Sequence, residues 1–185
     1  MLLIPGIIGS AAPQVGDFES IATVTVGAGG SSEINFTSIP STYQHLQIRI
    51  LSRDNRAATV NSVFYRLNAD TGSNYAYHIL AGDGSNASAA AATSTAFTYG
   101  MLQTSASTTS NIFTVGIIDI LDYANTNKNT TVRTLQGYDA NGSGGIRFNS
   151  GLWMNTAAVN AVRLYPDGAA SFVQYTHAAL YGIKG

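Results

Sequence analysis

Segment after segment of this chain alternates apolar and polar residues with a period of two, and clusters of turn-forming residues separate the segments. Over residues 45–51, Leu46, Ile48 and Ile50 share one face, and His45, Gln47 and Arg49 share the other. Val63, Tyr65 and Leu67 alternate with Phe64 and Arg66, and Val162 and Leu164 alternate with Arg163 and Tyr165. A two-residue period is the side-chain geometry of a strand, which sends successive Cβ atoms to opposite faces of a sheet. "IFTVGIIDI", residues 112–120, is more continuously apolar, as expected of a strand buried on both sides. Further strands are predicted at 19–26, 32–36, 75–80, 95–102, 130–138, 145–154 and 172–183, where β-branched and aromatic residues are enriched.

The intervening segments carry Gly, Asn and Asp: "GAGGSS" at 27–32, "DTGSN" at 70–74, "GDGSN" at 82–86, "YANTNKN" at 123–129, "ANGSGG" at 140–145 and "PDGAA" at 166–170. These residues tolerate positive φ or brace their own backbone, so they read as turns. Many strands spaced by turns in 185 residues predict one all-β domain: a sandwich, jelly roll or barrel. No apolar stripe runs through three helical turns. Only "SNASAAAATSTAF" at 85–97 offers alanines for one short helix, with a packed small-residue loop as the alternative.

Composition narrows the function. Charged residues make up 10% of the chain, against about 25% in an ordinary globular domain. Ser, Thr, Asn and Gly supply the polarity, and such a surface suits dry contacts between subunits, because few charges need desolvation. The net charge of −1 leaves no electrostatic footprint for nucleic acid. Arg49, Arg53 and Arg56 form the densest basic group, but Asp54 sits among them, so a strand end and loop is the expectation rather than an anion site. With no cysteine, disulfides and thiolate metal sites are excluded. "MLLIPGIIGSAAPQ" has no basic n-region, and Pro5 and Gly6 split an apolar run too short to span a membrane. It reads either as an edge strand or as an arm over residues 1–16, whose Met1, Leu2, Leu3, Ile4, Ile7 and Ile8 dock on a neighbour.

Catalytic patterns are missing. There is no G-x-S-x-G elbow. His45, His78 and His177 each fall inside a predicted strand, without the spacing of zinc ligands. Asp119 and Asp122 are too isolated to suggest a carboxylate pair, and Asp122 is expected to brace the loop that follows. "DANGSGG" resembles a calcium loop, but Ser150 stands where its bidentate acid belongs. "GAGG" leads into another strand rather than a helix, so it cradles no phosphate. The N-x-S/T triplets at Asn35, Asn86, Asn129 and Asn141 are expected by chance in so hydroxyl-rich a chain. No cofactor and no enzymatic activity are predicted. Tyr75, Tyr77, Tyr99 and Tyr138 are the candidate aromatics for a glycan or for subunit contacts, with core packing as the alternative.

Several longer stretches carry a resemblance: "GDFESIATVTVGAGGSSEINFTSIPSTYQHLQIRI", "DTGSNYAYHIL", "DILDYANTNKNTTVRTLQGYD", "GLWMNTAAVNAVRLYP" and "ALYGIKG". Across residues 16–185 the chain resembles a family of small structural proteins of tailed bacteriophages and prophages. That resemblance implies a jelly-roll β-sandwich of roughly eight or more antiparallel strands over 17–185, with an extended N-terminal arm over 1–16. It further implies a virion protein with no catalytic residues. The leading expectation is a homotrimeric capsid decoration, or cement, protein that clamps neighbouring major capsid subunits. The alternative is a tail-fibre or receptor-binding component that joins a tail protein and recognises a host surface glycan. Neither expectation involves a membrane or nucleic acid. Trp153 is expected in the core beneath a closing strand at 172–183.

Overall fold

The computed structural model describes residues 17–185, so the predicted arm over 1–16 lies outside the described residues. The chain forms twelve strands: β1 (Phe18–Thr25), β2 (Ile34–Phe36), β3 (His45–Ser52), β4 (Val60–Leu67), β5 (Tyr75–Gly82), β6 (Ala87–Thr95), β7 (Thr98–Thr104), β8 (Thr114–Leu121), β9 (Thr130–Asp139), β10 (Gly144–Trp153), β11 (Val162–Pro166) and β12 (His177–Ile183). No helix occurs among the described residues. The strands make an eight-stranded sheet, ordered β1-β12-β3-β8-β9-β10-β5-β6, and a four-stranded sheet, ordered β2-β11-β4-β7. Every pairing within the sheets is antiparallel. The predicted all-β sandwich is therefore the fold.

The pairing is nested. β1 meets β12, β2 meets β11, β3 meets β8 and β4 meets β7, with successive pairs falling in alternate sheets. β12 then also pairs with β3, and β11 with β4. Hence each of these late strands lies between two early ones. The β5–β6 and β9–β10 hairpins widen the larger sheet.

The alternating residues fill the space between the sheets. Leu46, Ile48 and Ile50 of β3, Ile118 and Ile120 of β8 and Leu180 of β12 are buried from one side. Ile34, Phe36, Val63, Tyr65, Leu67, Met101, Val162 and Leu164 meet them from the other, in one apolar cluster. Trp153 joins this core, but not beneath β12. β10 lies four strands from β12, so the indole stacks on Tyr75 of the neighbouring β5, with ring centroids 6.4 Å apart. Its Nε1 donates to Asp70 Oδ2 at 2.7 Å, which satisfies the polar edge that burial would otherwise strand.

The segment at 85–97 is neither helix nor small-residue loop: it contains β6. Turn chemistry and tertiary pairing outweigh alanine's helical preference. Asp83 Oδ1 accepts from the Ser85 and Asn86 N–H groups at 2.9 and 2.6 Å, folding the chain back so that Ala87 faces Gly82 in register. An alanine helix would also have no large apolar stripe to bury. The predicted strand at 172–183 begins only at His177, because Tyr175 adopts φ 72° and turns the backbone there.

The basic group divides by location. Arg53 is nearly enclosed and donates to the carbonyls of Thr108, Thr109 and Ile112 at 2.7, 2.9 and 3.0 Å, pinning the β7–β8 connection. Buried Asp54 accepts from Asn61 Nδ2 and Gln103 Nε2 at 2.6 and 2.9 Å. Arg56 is tied to Asn61 and Asp167, and Arg49 lies over the rings of Phe18 and Tyr181. Arg53 is thus held inside the fold, whereas Arg49 and Arg56 stay at the surface with partners from the same chain.

At one end of the sandwich, Gly182 allows a close approach. A Cβ there would fall 2.3 Å from the Tyr43 ring, whose hydroxyl donates to Glu19 at 2.8 Å. Two substitutions probe this packing by chemical denaturation. Trp153→Ala should cost about 3–5 kcal/mol through its cavity, and an unchanged unfolding midpoint would place the indole outside the core. Gly182→Ala should also destabilise by displacing Tyr43, whereas Tyr43→Ala combined with Gly182→Ala should show little further loss from the glycine change.

Candidate interaction surface

Residues one position out of phase with the core point away from the four-stranded sheet. On β8, whose inner face carries Ile118 and Ile120, the outer face carries Val115 and Ile117, 56% and 39% exposed. The sequence predicts burial of this strand on both sides, but the described residues cover only one. The neighbouring strands behave likewise. Leu135 of β9 and Ile146 of β10 are 56% and 66% exposed, and Leu80 and Phe148 are exposed as well.

Strand register assembles these side chains into two transverse rows. Leu80, Phe148, Leu135 and Ile117 stand opposite one another in succession from β5 to β8, and Arg49 of β3 continues that row. The second row runs Gly82, Ile146, Gly137, Val115 and Leu51, with His177 beyond. Gly137 interrupts the second row between Ile146 and Val115, and the missing side chain leaves a shallow groove of about 530 Å³. The strip spans four inter-strand steps, roughly 19 Å at a spacing of ~4.8 Å. Contiguous exposed apolar surface of this kind makes the strip a candidate interaction surface.

A third row, made of His78, Ser150, Arg133, Asp119, Gln47 and Tyr181, is polar. Its charges satisfy one another: Arg133 Nη2 donates to Asp119 Oδ2 at 2.8 Å, and Gln47 Nε2 donates to Asp119 Oδ1 at 2.8 Å. Asp122 faces elsewhere and braces its loop through Lys128, whose hydrogen bond holds the Asp122 carboxyl below its ordinary value. The two aspartates do not converge. His45 accepts the Asp122 N–H through Nδ1 at 2.9 Å, and His78 and His177 lie on other strands. Among the described residues, no group of three or more His, Asp or Glu side chains is placed to hold a metal ion. Nor is any helix there long and apolar enough to cross a membrane.

The four candidate tyrosines separate. Tyr75 is fully enclosed, its hydroxyl accepts the Leu67 N–H at 3.0 Å, and burial pushes its ionisation up to about 12. Its ring therefore belongs to the core and offers no face to a ligand. Tyr77 and Tyr99 come together, with centroids 5.9 Å apart, and Arg147 covers Tyr99 and donates to its hydroxyl at 2.7 Å. Tyr138 stands apart beside the turns at 82–86 and 140–145, in a cleft of about 360 Å³ with Asp83, Asn86, Gln136 and Arg147. Residues 1–8 lie outside the described structure. The apolar strip was not singled out from the sequence, although its signal was present: β8 and β10 carry large apolar residues in both phases of the alternation. No protein-family profile, curated protein or solved structure matches the chain.

The paired carboxylates set the acid response. Glu19, Glu33, Asp70, Asp83 and Asp122 are all held below their ordinary values, chiefly by hydrogen bonds from Lys184, Asn35, Asn74, the Asn86 N–H and Lys128 respectively. A carboxyl with a depressed folded-state pKa contributes stability above its unfolded value and loses it as pH falls through the folded one. Melting temperature should therefore stay nearly level above about pH 5 and fall below about pH 4, with Asp70→Asn making the acid limb shallower. An acid limb equally steep in that variant would remove Asp70 from the account.

Proposed function

We propose that this chain is a structural protein of a tailed-phage particle, most simply a decoration protein that trimerises on the head and stabilises it by clamping major capsid subunits. The observation that carries this reading is the apolar strip on the outer face of the large sheet, which suits burial against another protein. The nested order of β1-β12-β3-β8 and β2-β11-β4-β7 supports reading the eight strands as a jelly roll, the architecture implied by the sequence resemblance. Low charge, with Asp119, Asp122 and Glu19 already paired, lowers the desolvation cost of a dry contact. The apolar residues Leu2, Leu3, Ile4, Ile7 and Ile8 extend the surface available for clamping. No catalytic step is assigned.

The second reading is a tail-fibre or receptor-binding module. The cleft beside Tyr138 favours it, since an aromatic ring flanked by Asp83, Asn86 and Arg147 is chemistry that suits a sugar. Copy number separates the two locations: hundreds per particle accord with cement, a few dozen or fewer with a fibre.

Particle binding tests the leading reading. Leu135→Asp with Ile117→Asp should lower occupancy of undecorated heads at least about tenfold, because each buried Leu or Ile side chain is worth roughly 1.5–3 kcal/mol. Both positions are exposed in the subunit, so its melting temperature should hardly move. Unchanged head binding by a folded double variant would refute the strip as the contact. Sedimentation at micromolar concentration should give a trimer, and a monomer on heads and in solution would refute trimeric assembly.

A further inference from the structure

The large sheet ends at β6, and no described strand pairs with the far side of that strand. Such an edge carries unpaired N–H and C=O groups and is a template for another strand unless it is guarded. The other three sheet edges are guarded. β2 is three residues long, β7 is buried, and β1 has a register shift between Ser20 and Ala22 and carries Glu19. By contrast, β6 is nine residues long and exposed along most of its length, and residues 84–97 include no charged residue and no proline.

The turn before β6 fixes which of its backbone groups face outward. The Asp83 N–H donates to the Asn86 carbonyl at 3.2 Å, which makes the last rung of the β5–β6 ladder. Hydrogen-bonded and non-hydrogen-bonded pairs alternate along an antiparallel ladder. Gly82–Ala87, Leu80–Ala89 and His78–Ala91 are therefore non-hydrogen-bonded pairs, and Ala87, Ala89 and Ala91 turn both N–H and C=O away from β5. We propose that this edge pairs with β6 of a second copy, antiparallel about a two-fold axis at Ala89. Ala89 then meets Ala89 of the partner subunit, and Ala87 meets Ala91 of the partner subunit. Each such pair exchanges two hydrogen bonds, and no like charges face one another.

What β6 lacks favours a second copy over a foreign strand. Strand addition takes its affinity from main-chain hydrogen bonds and its selectivity from side-chain pockets. Ala87, Ala89 and Ala91 provide no pockets to select another sequence, whereas an identical strand brings the same residues in reverse order and matches them by symmetry. Antiparallel pairing of one edge with itself sets the axis normal to the sheet, so the outer apolar strips of both subunits face the same way. The regular ladder of β6 covers residues 87–92, about 20 Å of strand. Such a contact buries far less than the ~800 Å² per partner of a standard interface, so in free solution it forms only at high concentration. A two-fold contact cannot close a ring of three, so it adds to a trimer and does not replace it. The pairing does not depend on the virion reading, because purified protein is sufficient to test it.

Sedimentation of the full-length protein from about 10 µM to about 1 mM tests the pairing by mass action. Ala89→Lys and Ala89→Glu each set like charges opposite one another at the axis. Ala89 is exposed, so neither variant should shift the melting temperature appreciably. The average mass of the unsubstituted protein should rise by about half or more over that range. Each variant alone should keep its dilute mass, and an equimolar mixture of the two should regain the rise. Hydrogen exchange on the unsubstituted protein gives a second readout. The Ala87, Ala89 and Ala91 amides should exchange severalfold more slowly at the higher concentration, while Ser88 and Ala90, already bonded to β5, should not change. A constant mass, association that survives in both variants, or a mixture that fails to associate would overturn the pairing. So would exchange at Ala87, Ala89 and Ala91 that is independent of concentration. None of these measurements involves a phage head, so their failure leaves the particle reading standing.

Discussion

A strand has two faces, and β8, inside the large sheet, is apolar on both. That constraint governs the rest of the structure. The inner phase of β3, β8 and β12 builds the core against the small sheet through Ile48, Ile118 and Leu180. The outer phase, through Ile117, Leu135 and Phe148, cannot turn inward without a one-residue register slip that would expel the core. The outer apolar rows are therefore fixed by the same hydrogen-bond ladders that fix the interior. A surface created in this way is rigid and needs no loop rearrangement to be presented, which suits repeated, identical contacts.

Beyond β8 the interior changes character. Thr134, Gln136 and Asn149 of β9 and β10, together with Thr98 and Gln103 of β7, are buried polar groups. Asn149 Nδ2 donates to the Gly100 carbonyl at 2.9 Å, joining the sheets by a directional bond where apolar interlock is thinner. A Cβ on Gly151 would fall 2.7 Å from Thr98 Oγ1 and 2.9 Å from the Tyr65 hydroxyl, so the backbone of β10 comes close to side chains from the opposing sheet there. Arg53 does comparable work at a loop by tying the β7–β8 connection to three carbonyls. With charges scarce, hydrogen bonds from Asn, Gln, Thr and one guanidinium supply the specificity that ion pairs supply in more highly charged domains.

The alternation made most strands legible, because burial of one phase leaves a direct trace in composition. Turn residues marked their ends well: the Asp83 and Asp139 side chains cap the Ser85, Asn86 and Asn141 N–H groups in the turns where they were expected. β6 was not legible, since an alanine strand exposed on both faces has no phase to detect, and its state is decided by its partner β5. Trp153 was legible as core, but its neighbour was not, because strand order is a non-local property. The same limit hid the outer strip. Ile146, Leu135 and Val115 come from three strands, and only register puts them side by side. Tyr75 and Tyr77 do fall on one face of β5, yet the alternation could not say that the first would be enclosed.

The placement of β12 between β1 and β3, and of β11 between β2 and β4, bears on how the molecule comes into being. A ribosome delivers residues in order, and β1, the first of the described strands, pairs among the described residues only with β12, the last of them. Until residues 162–183 clear the exit tunnel, both sheets lack the strand next to one edge, so nothing joins β1 to β3 or β2 to β4, and the emerging polypeptide must keep Ile48, Phe36 and Val63 from foreign contacts. Synthesis and completion of the fold are thereby separated in time, so the nascent chain would be a natural client for a chaperone that shields apolar strands.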